Sequence, residues 1–321
     1  MMSQFVSIII TTYNSADFIT ETLESVKAQI YQNIELIISD DASQDETVSI
    51  AGKWLQENAD RFVRTDLITV SVNTGVSANC NRSIAAAKSD WIKFIAGDDI
   101  LLPNCIEDNV RFVQQCPEAK IIFSQVKVYR DTFKEDAFVR VIPLSHPMNI
   151  MAPQFTAADQ FNRLLLSDRI NFTPSYFFNK DAVVSVGGYD ETNRFVEDYP
   201  MWLKLTQAGY KLFFFEVPTV GYRQHDRAFN NVNTSVLVKP SVFKSYPFRK
   251  KFVHTYLPVD MVLSEKYTMS VAKCFAAVGW NKNVSFYPYL YLVLTVYFNP
   301  FKYVVYLRKI LKIGNTAILN N

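Results

Sequence analysis

Four apolar, largely β-branched runs, each followed at once by polar residues, constrain this chain more than any other feature. The run over 5–10 leads into Thr11-Thr12-Tyr13-Asn14, and that over 34–39 into Asp40-Asp41-Ala42-Ser43. The run over 67–71 precedes Asn73-Thr74-Gly75, and that over 91–95 ends in Ala96-Gly97-Asp98-Asp99. Helical patterns over 17–30, 45–58 and 77–87 separate them. Strands alternating with helices require right-handed crossovers, so the expected fold is α/β, a mostly parallel, Rossmann-like sheet flanked by helices on both faces. Ligands in such sheets bind beyond the carboxyl ends of the strands, where these polar clusters fall.

Further on, Pro103 starts a helix and a strand is expected over 121–126. Residues 130–155, with Pro143, Pro147 and Pro153, read as a long loop near a site. A helix over 157–167, an extended stretch over 175–179, a helix over 199–207 and strands over 211–216 and 219–223 follow. A chain of 321 residues has room for two domains at about 150 residues each. The expected division is 1–235, in two halves (1–126 and 127–235), and an appendage over 236–321.

Several chemistries are excluded. None of the nine glycines are separated by a single residue, so GxGxxG is absent, as are a P-loop and a GxSxG elbow. Three histidines leave no HExxH, and four cysteines form no CxxC pair. Reduced thiols in a cytoplasmic protein are expected. The chain opens directly onto an apolar strand, so no secretory leader is expected. No nucleic-acid partner is expected either.

Charge divides the chain. Residues 241–321 hold eleven Lys/Arg and two acids, Asp260 and Glu265, leaving 22 basic and 29 acidic residues in the first 240. Nineteen uncharged residues lie between Lys282 and Lys302, rich in tyrosine and phenylalanine but cut by Pro288 and Pro300. That is short of the roughly 20 apolar residues a spanning helix needs. Interfacial aromatics followed by Lys302, Arg308, Lys309 and Lys312 suit a segment lying on an anionic membrane surface. An aromatic face packed on the core or on a second subunit fits nearly as well.

The Asp98-Asp99 pair at the end of an apolar strand is the strongest chemical signal. Adjacent carboxylates repel, and a divalent cation such as Mg²⁺ or Mn²⁺ removes that cost while bridging to a diphosphate. Acids opening the helix that Pro103 starts are the plain alternative. Asp40 or Asp41 could accept from a nucleobase or ribose, and Thr11 or Tyr13 could frame a base, although turn roles explain these residue types equally well. Glu197 and Asp198 open a helix, where a carboxylate could take a proton from a hydroxyl or simply cap the helix. Arg223 and His225, after a strand, could meet phosphate oxygens or a metal.

Taken in order, these motifs resemble family 2 glycosyltransferases, inverting enzymes of the GT-A fold. The resemblance covers roughly 5–230 and rests on the opening strand with Thr11, Tyr13 and Asn14, on Ser39-Asp40-Asp41-Ala42-Ser43, on Asn73-Thr74-Gly75 with Asn79 and Asn81, on Phe94 to Asp99, on Gly187-Gly188-Tyr189-Asp190, and on Glu197-Asp198 with Trp202. It implies a hexosyltransferase-like, metal-dependent enzyme that takes a nucleotide-diphosphate sugar, most simply a UDP-sugar. Thr11, Tyr13, Asp40, Asp41, Asn73, Asn79, Asp98 and Asp99 would bind the donor. Asp98 and Asp99 would hold Mg²⁺ or Mn²⁺, Asp198 would be the general base, Glu197 and Trp202 would shape the acceptor pocket, and Arg223 and His225 would contact the diphosphate. Ala96 departs from the Asp-x-Asp triplet common in the family, so strict metal dependence stays open. The expected acceptor is a glycan, lipid-linked at the inner face of a bacterial membrane, in O-antigen or capsule synthesis. The alternative is a non-catalytic nucleotide-sugar-binding or scaffolding subunit. A nucleotidyltransferase is disfavoured because its glycine- and lysine-rich phosphate loop is missing.

Overall fold

Val6–Thr12 forms β1, and four of its side chains, Val6, Ile8, Ile9 and Ile10, are fully buried on both faces. That burial explains why the strand reads as a continuous apolar run rather than an alternating one. The structure is a computed structural model and describes residues 5–144, 150–167, 170–192, 197–225, 236–284 and 286–311. Beyond β1 come α1 (Ile19–Lys27), β2 (Ile34–Asp40), α2 (Thr47–Asn58), β3 (Arg64–Thr69), α3 (Val76–Ala86) and β4 (Trp91–Ala96). Strands β3, β2, β1 and β4 lie side by side and parallel, with Thr11 opposite both Ser39 and Ala96. This register aligns the three carboxyl ends, so their polar residues share one edge.

The second half adds β5 (Ile100–Leu101), α4 (Cys105–Gln115), β6 (Ile121–Arg130), β7 (Phe138–Ile142), α5 (Ala157–Leu166), β8 (Phe177–Asn179), α6 (Lys180–Ser185), α7 (Asp198–Gln207) and β9 (Leu212–Gln224). The nine-stranded sheet runs β3-β2-β1-β4-β8-β6-β9-β5, with β7 on β6. Strands β5, β7 and β8 pair antiparallel, and the remainder is parallel, as expected for a GT-A sheet.

Two sequence expectations change. The stretch expected to be irregular over 130–155 contains β7, paired in a hairpin with β6. The two strands expected over 211–223 form one, β9, whose ladder to β6 is interrupted near Pro218, where the ring removes a backbone donor. No disulfide forms among the four cysteines.

The chain divides into two units, one comprising Met1–Leu164 with Asp168–His225 and the other Leu165–Ser167 with Asp226–Asn321. The boundary falls after His225 rather than after residue 235, and the residues at 226–235 lie outside the described ones. In the second unit are α8 (Pro240–Lys251), α9 (Val259–Ala277), α10 (Tyr287–Leu292) with a wider π turn at Val293–Tyr297, and α11 (Pro300–Leu311). Val238, Met269 and Ala272 form its core, covered by Phe243, Tyr246 and Tyr291. Arg249 pairs with Glu265 at 2.8 Å and donates to the Leu165 carbonyl at 3.2 Å. That contact draws the end of α5 into this unit.

Candidate active site

The loops after β1 and β2 are stitched together first. Asp40 accepts from Thr12 Oγ1 and from the Ser43 backbone N–H, both at 2.8 Å. The Asn14 N–H donates to Ser43 Oγ, and Asn14 Oδ1 accepts from the Gln44 N–H. Asn14 and Ala42 adopt left-handed backbone angles in these turns. Thr11 is half-buried and Tyr13 largely exposed beside them.

Asp41 faces the turn that starts α3. Its carboxylate accepts from the N–H groups of Thr74 and Gly75, from Thr74 Oγ1, and from Arg82 at 3.1 Å. Burial raises its pKa, but these donors outweigh burial and hold it below the usual carboxylate range. Gly75, at φ +92°, gives the turn a backbone that a side chain would strain. Asn79 is buried, bonded to Ser39 and Arg82, while Asn73 is exposed. Asn79 therefore braces α3 against β2 rather than facing a ligand.

At the end of β4 the chain turns sharply at Gly97. A Cβ there would lie 2.9 Å from Thr12 and 3.1 Å from Ser15, so only glycine lets this turn approach β1. The two aspartates beyond it have different environments. Asp98 is partly open, its side chain 30% exposed, and its Oδ2 lies 3.1 Å from His225 Nε2. Asp99 is buried and accepts from the Arg223 backbone N–H at 2.8 Å. Burial, then the neighbouring Asp98 charge, pushes the Asp99 carboxyl well above its ordinary pKa. Asp99 thus ties the turn beyond β4 to β9.

Arg223 is likewise a brace. Its side chain is 2% exposed and stacks on Phe133 (4.2 Å) and Phe18 (4.8 Å). The guanidinium donates to the carbonyls of Asp98 (2.8 Å) and Asp131 (2.5 Å) and pairs with Glu21. Each of its three guanidinium nitrogens is thus engaged within the protein. Phe18, Glu21 and Phe133 carry no recognisable motif, so nothing in the local pattern marks this cage.

Above the sheet, Phe94 of β4 stacks with Tyr176 (5.9 Å) and meets Tyr189 edge-on (6.3 Å). The two phenol groups are hydrogen-bonded. Burial, then the fields of neighbours that include Asp198, holds both phenols well above their ordinary pKa. Burial followed by Glu197, Asp198 and Asp41 does the same to the Cys80 thiol. Cys80 itself, on α3, is buried and carries no motif of its own. Trp202 is fully buried, edge-on to Phe123 (4.9 Å) and Tyr176 (5.2 Å). Its indole packs within the aromatic core beneath Tyr176 rather than standing at the surface. Asn81 fixes the Gly188-Tyr189 turn by donating to the Tyr189 carbonyl and accepting its N–H.

Among the described residues no three His, Cys, Asp or Glu side chains gather to enclose an ion. Asp98 with His225 nevertheless fits a cation that takes its remaining ligands from diphosphate oxygens and water, as Mg²⁺ usually does.

The parallel sheet with carboxylates gathered beyond its strand ends defines the chain as an α/β protein of the GT-A fold. A sequence model of Glycosyl transferase family 2 matches residues 7–172, and the chain belongs to that family. An uncharacterized glycosyltransferase of Rickettsia typhi is 24% identical over 295 residues, covering 88% of this chain and 83% of its own. The Escherichia coli UDP-Glc:alpha-D-GlcNAc-diphosphoundecaprenol beta-1,3-glucosyltransferase WfaP is 28% identical over 222 residues, 69% of this chain and 78% of its own. S. aureus TarS 1-349 in complex with UDP-GlcNAc shares the fold at a TM-score of 0.54 and 16% identity, over 73% of this chain and 62% of TarS 1-349.

Proposed function

We propose that this glycosyltransferase moves a sugar, with inversion, from a UDP-sugar to a hydroxyl of a lipid-linked glycan in bacterial surface polysaccharide synthesis, such as O-antigen or capsule, at the cytoplasmic face of the membrane. The observation that carries this reading is the unequal treatment of adjacent carboxylates: Asp99 is tied into the scaffold while Asp98 stays partly open beside His225. Asp98 and His225 would hold Mg²⁺ or Mn²⁺, which when bound offsets negative charge on the diphosphate. Donor specificity toward uridine is supported by WfaP, named for UDP-Glc, and its diphosphoundecaprenol-linked acceptor supports a lipid carrier.

The chain's own residues supply the remaining chemistry. Thr11, Tyr13, Asp40 and Asp41 border the nucleoside end. Asp198, at the start of α7, takes the proton from the acceptor hydroxyl as it attacks the anomeric carbon from the face opposite the leaving diphosphate, with Glu197 beside it. General base catalysis of this kind supplies about 10² to 10⁴-fold, and positioning and charge stabilisation supply the rest. The test is donor hydrolysis with UDP- and GDP-sugars in the presence of Mn²⁺ or Mg²⁺. Turnover of a UDP-sugar supports the assignment, whereas binding without turnover of any donor would support a nucleotide-sugar-binding or scaffolding subunit.

A further inference from the structure

Helix α11 presents two opposed faces. Phe301, Val305 and Arg308 are half-buried on one side, and Arg308 pairs with Asp260 of α9 at 2.9 Å. At 100° per residue the opposite sector carries Tyr303, Tyr306, Leu307 and Ile310, from 53% to 63% exposed, with Val304 and Leu311 at its edge. No residue of α11 is buried. Lys302 and Lys309, seven positions apart, fall together along one border of that apolar sector and are exposed.

The charge around this face is one-sided. The only acids between 241 and 321 are Asp260 and Glu265, and both are engaged within the unit, by Arg308 and by Arg249. The surplus of lysines therefore has no acidic counterpart in this stretch. Aromatic and aliphatic side chains flanked by lysine are the composition of a helix lying in a headgroup layer. No single described helix is long and apolar enough to cross a membrane; the pair Tyr287–Tyr297 and Pro300–Leu311 reaches that length and composition only across a 53° bend.

We infer that the outer face of α11 docks on an anionic phospholipid surface, with Tyr306, Leu307 and Ile310 entering the interface and Lys302 and Lys309 meeting headgroups. This rests on the lipid-linked acceptor proposed above, because docking would bring the enzyme to the surface that holds such an acceptor. Each lysine at an anionic surface contributes about fivefold in affinity.

The full-length protein would be sedimented with vesicles of phosphatidylcholine, with and without phosphatidylglycerol, at low and high salt. The expected result is binding only to the phosphatidylglycerol vesicles, weakened by salt, reduced more than tenfold in Lys302→Glu/Lys309→Glu and lost in Tyr306→Asp/Leu307→Asp. Circular dichroism and solution donor hydrolysis should match wild type in both variants, since the substituted side chains are exposed. Wild-type protein that stays in the supernatant, or variants that bind like wild type, would overturn the docking. So would a lipid-free dimer that these substitutions dissociate, because the face would then belong to a second copy. Wild-type protein that docks but hydrolyses no donor would leave this inference standing and remove the enzymatic reading on which its purpose rests.

Discussion

The Arg223 guanidinium donates to the Asp98 backbone carbonyl, and the Arg223 backbone N–H donates to the Asp99 carboxyl, both at 2.8 Å. One residue of β9 thus fixes both halves of the turn beyond β4. Lysine lacks the planar fork needed to reach two carbonyls and Glu21 while stacked between Phe18 and Phe133. Arg223→Lys should lower stability by on the order of 2 kcal/mol and weaken metal-dependent donor binding. Denaturant unfolding and donor titration with and without Mn²⁺ would show it. Unchanged stability together with weakened binding would return Arg223 to the role of direct diphosphate contact.

The two aspartates should respond differently to amide substitution. On the proposed function, Asp98→Asn, which removes the partly open charge beside His225, should reduce Mn²⁺-dependent donor affinity about tenfold or more, on the order expected for a charge-assisted contact. Asp99→Asn keeps an acceptor for the Arg223 N–H and should change stability by less than about 1 kcal/mol. Isothermal titration of both variants decides the matter, and equal losses of donor affinity would restore Asp99 as a ligand.

Asp198→Asn should leave donor binding near wild type and lower transfer by about 10² to 10⁴-fold. Single-turnover transfer to a glycan acceptor is the measurement. Transfer at the wild-type rate would remove Asp198 as the base.

Trp202→Ala should act through the core. Removing a fully buried indole costs about 3–5 kcal/mol, seen as an earlier urea midpoint. The acceptor KM of the protein that remains folded should change little. A raised KM at unchanged stability would place the indole in the acceptor pocket.

Lys93 lies fully buried in β4, donating to the carbonyls of Pro174 and Tyr176, and burial lowers its pKa from 10.5 to about 8. Between those values the unfolded chain binds more protons than the folded one, so this residue's contribution to stability rises with pH through that window. Below it the cost of the buried charge is present in full. Urea midpoints of wild type should therefore gain on those of Lys93→Met from pH 8 to pH 10.5. Parallel curves would contradict the shift.

The mostly parallel sheet and the polar residues at the ends of its strands were legible in the chain, whereas the strand order β3-β2-β1-β4 was not. Runs of Val and Ile buried on both faces leave one way to satisfy the backbone, and Asp40, Asp41 and Asp98 stand where those strands end. Gly97 was visible only as part of a motif, and its packing shows that a Cβ there would lie 2.9 Å from the Thr12 side chain. What local pattern determines is where a polar side chain begins; it does not determine how many donors will close around it. Burial and pairing depend on elements more than a hundred residues away, which is why Asp98 and Asp99, neighbours in sequence, became an open carboxylate and a buried brace. For the same reason Arg223 and Trp202 resembled ligand contacts, while Phe18, Glu21 and Cys80, which carry no signature, acquired places around the site only when the chain had folded.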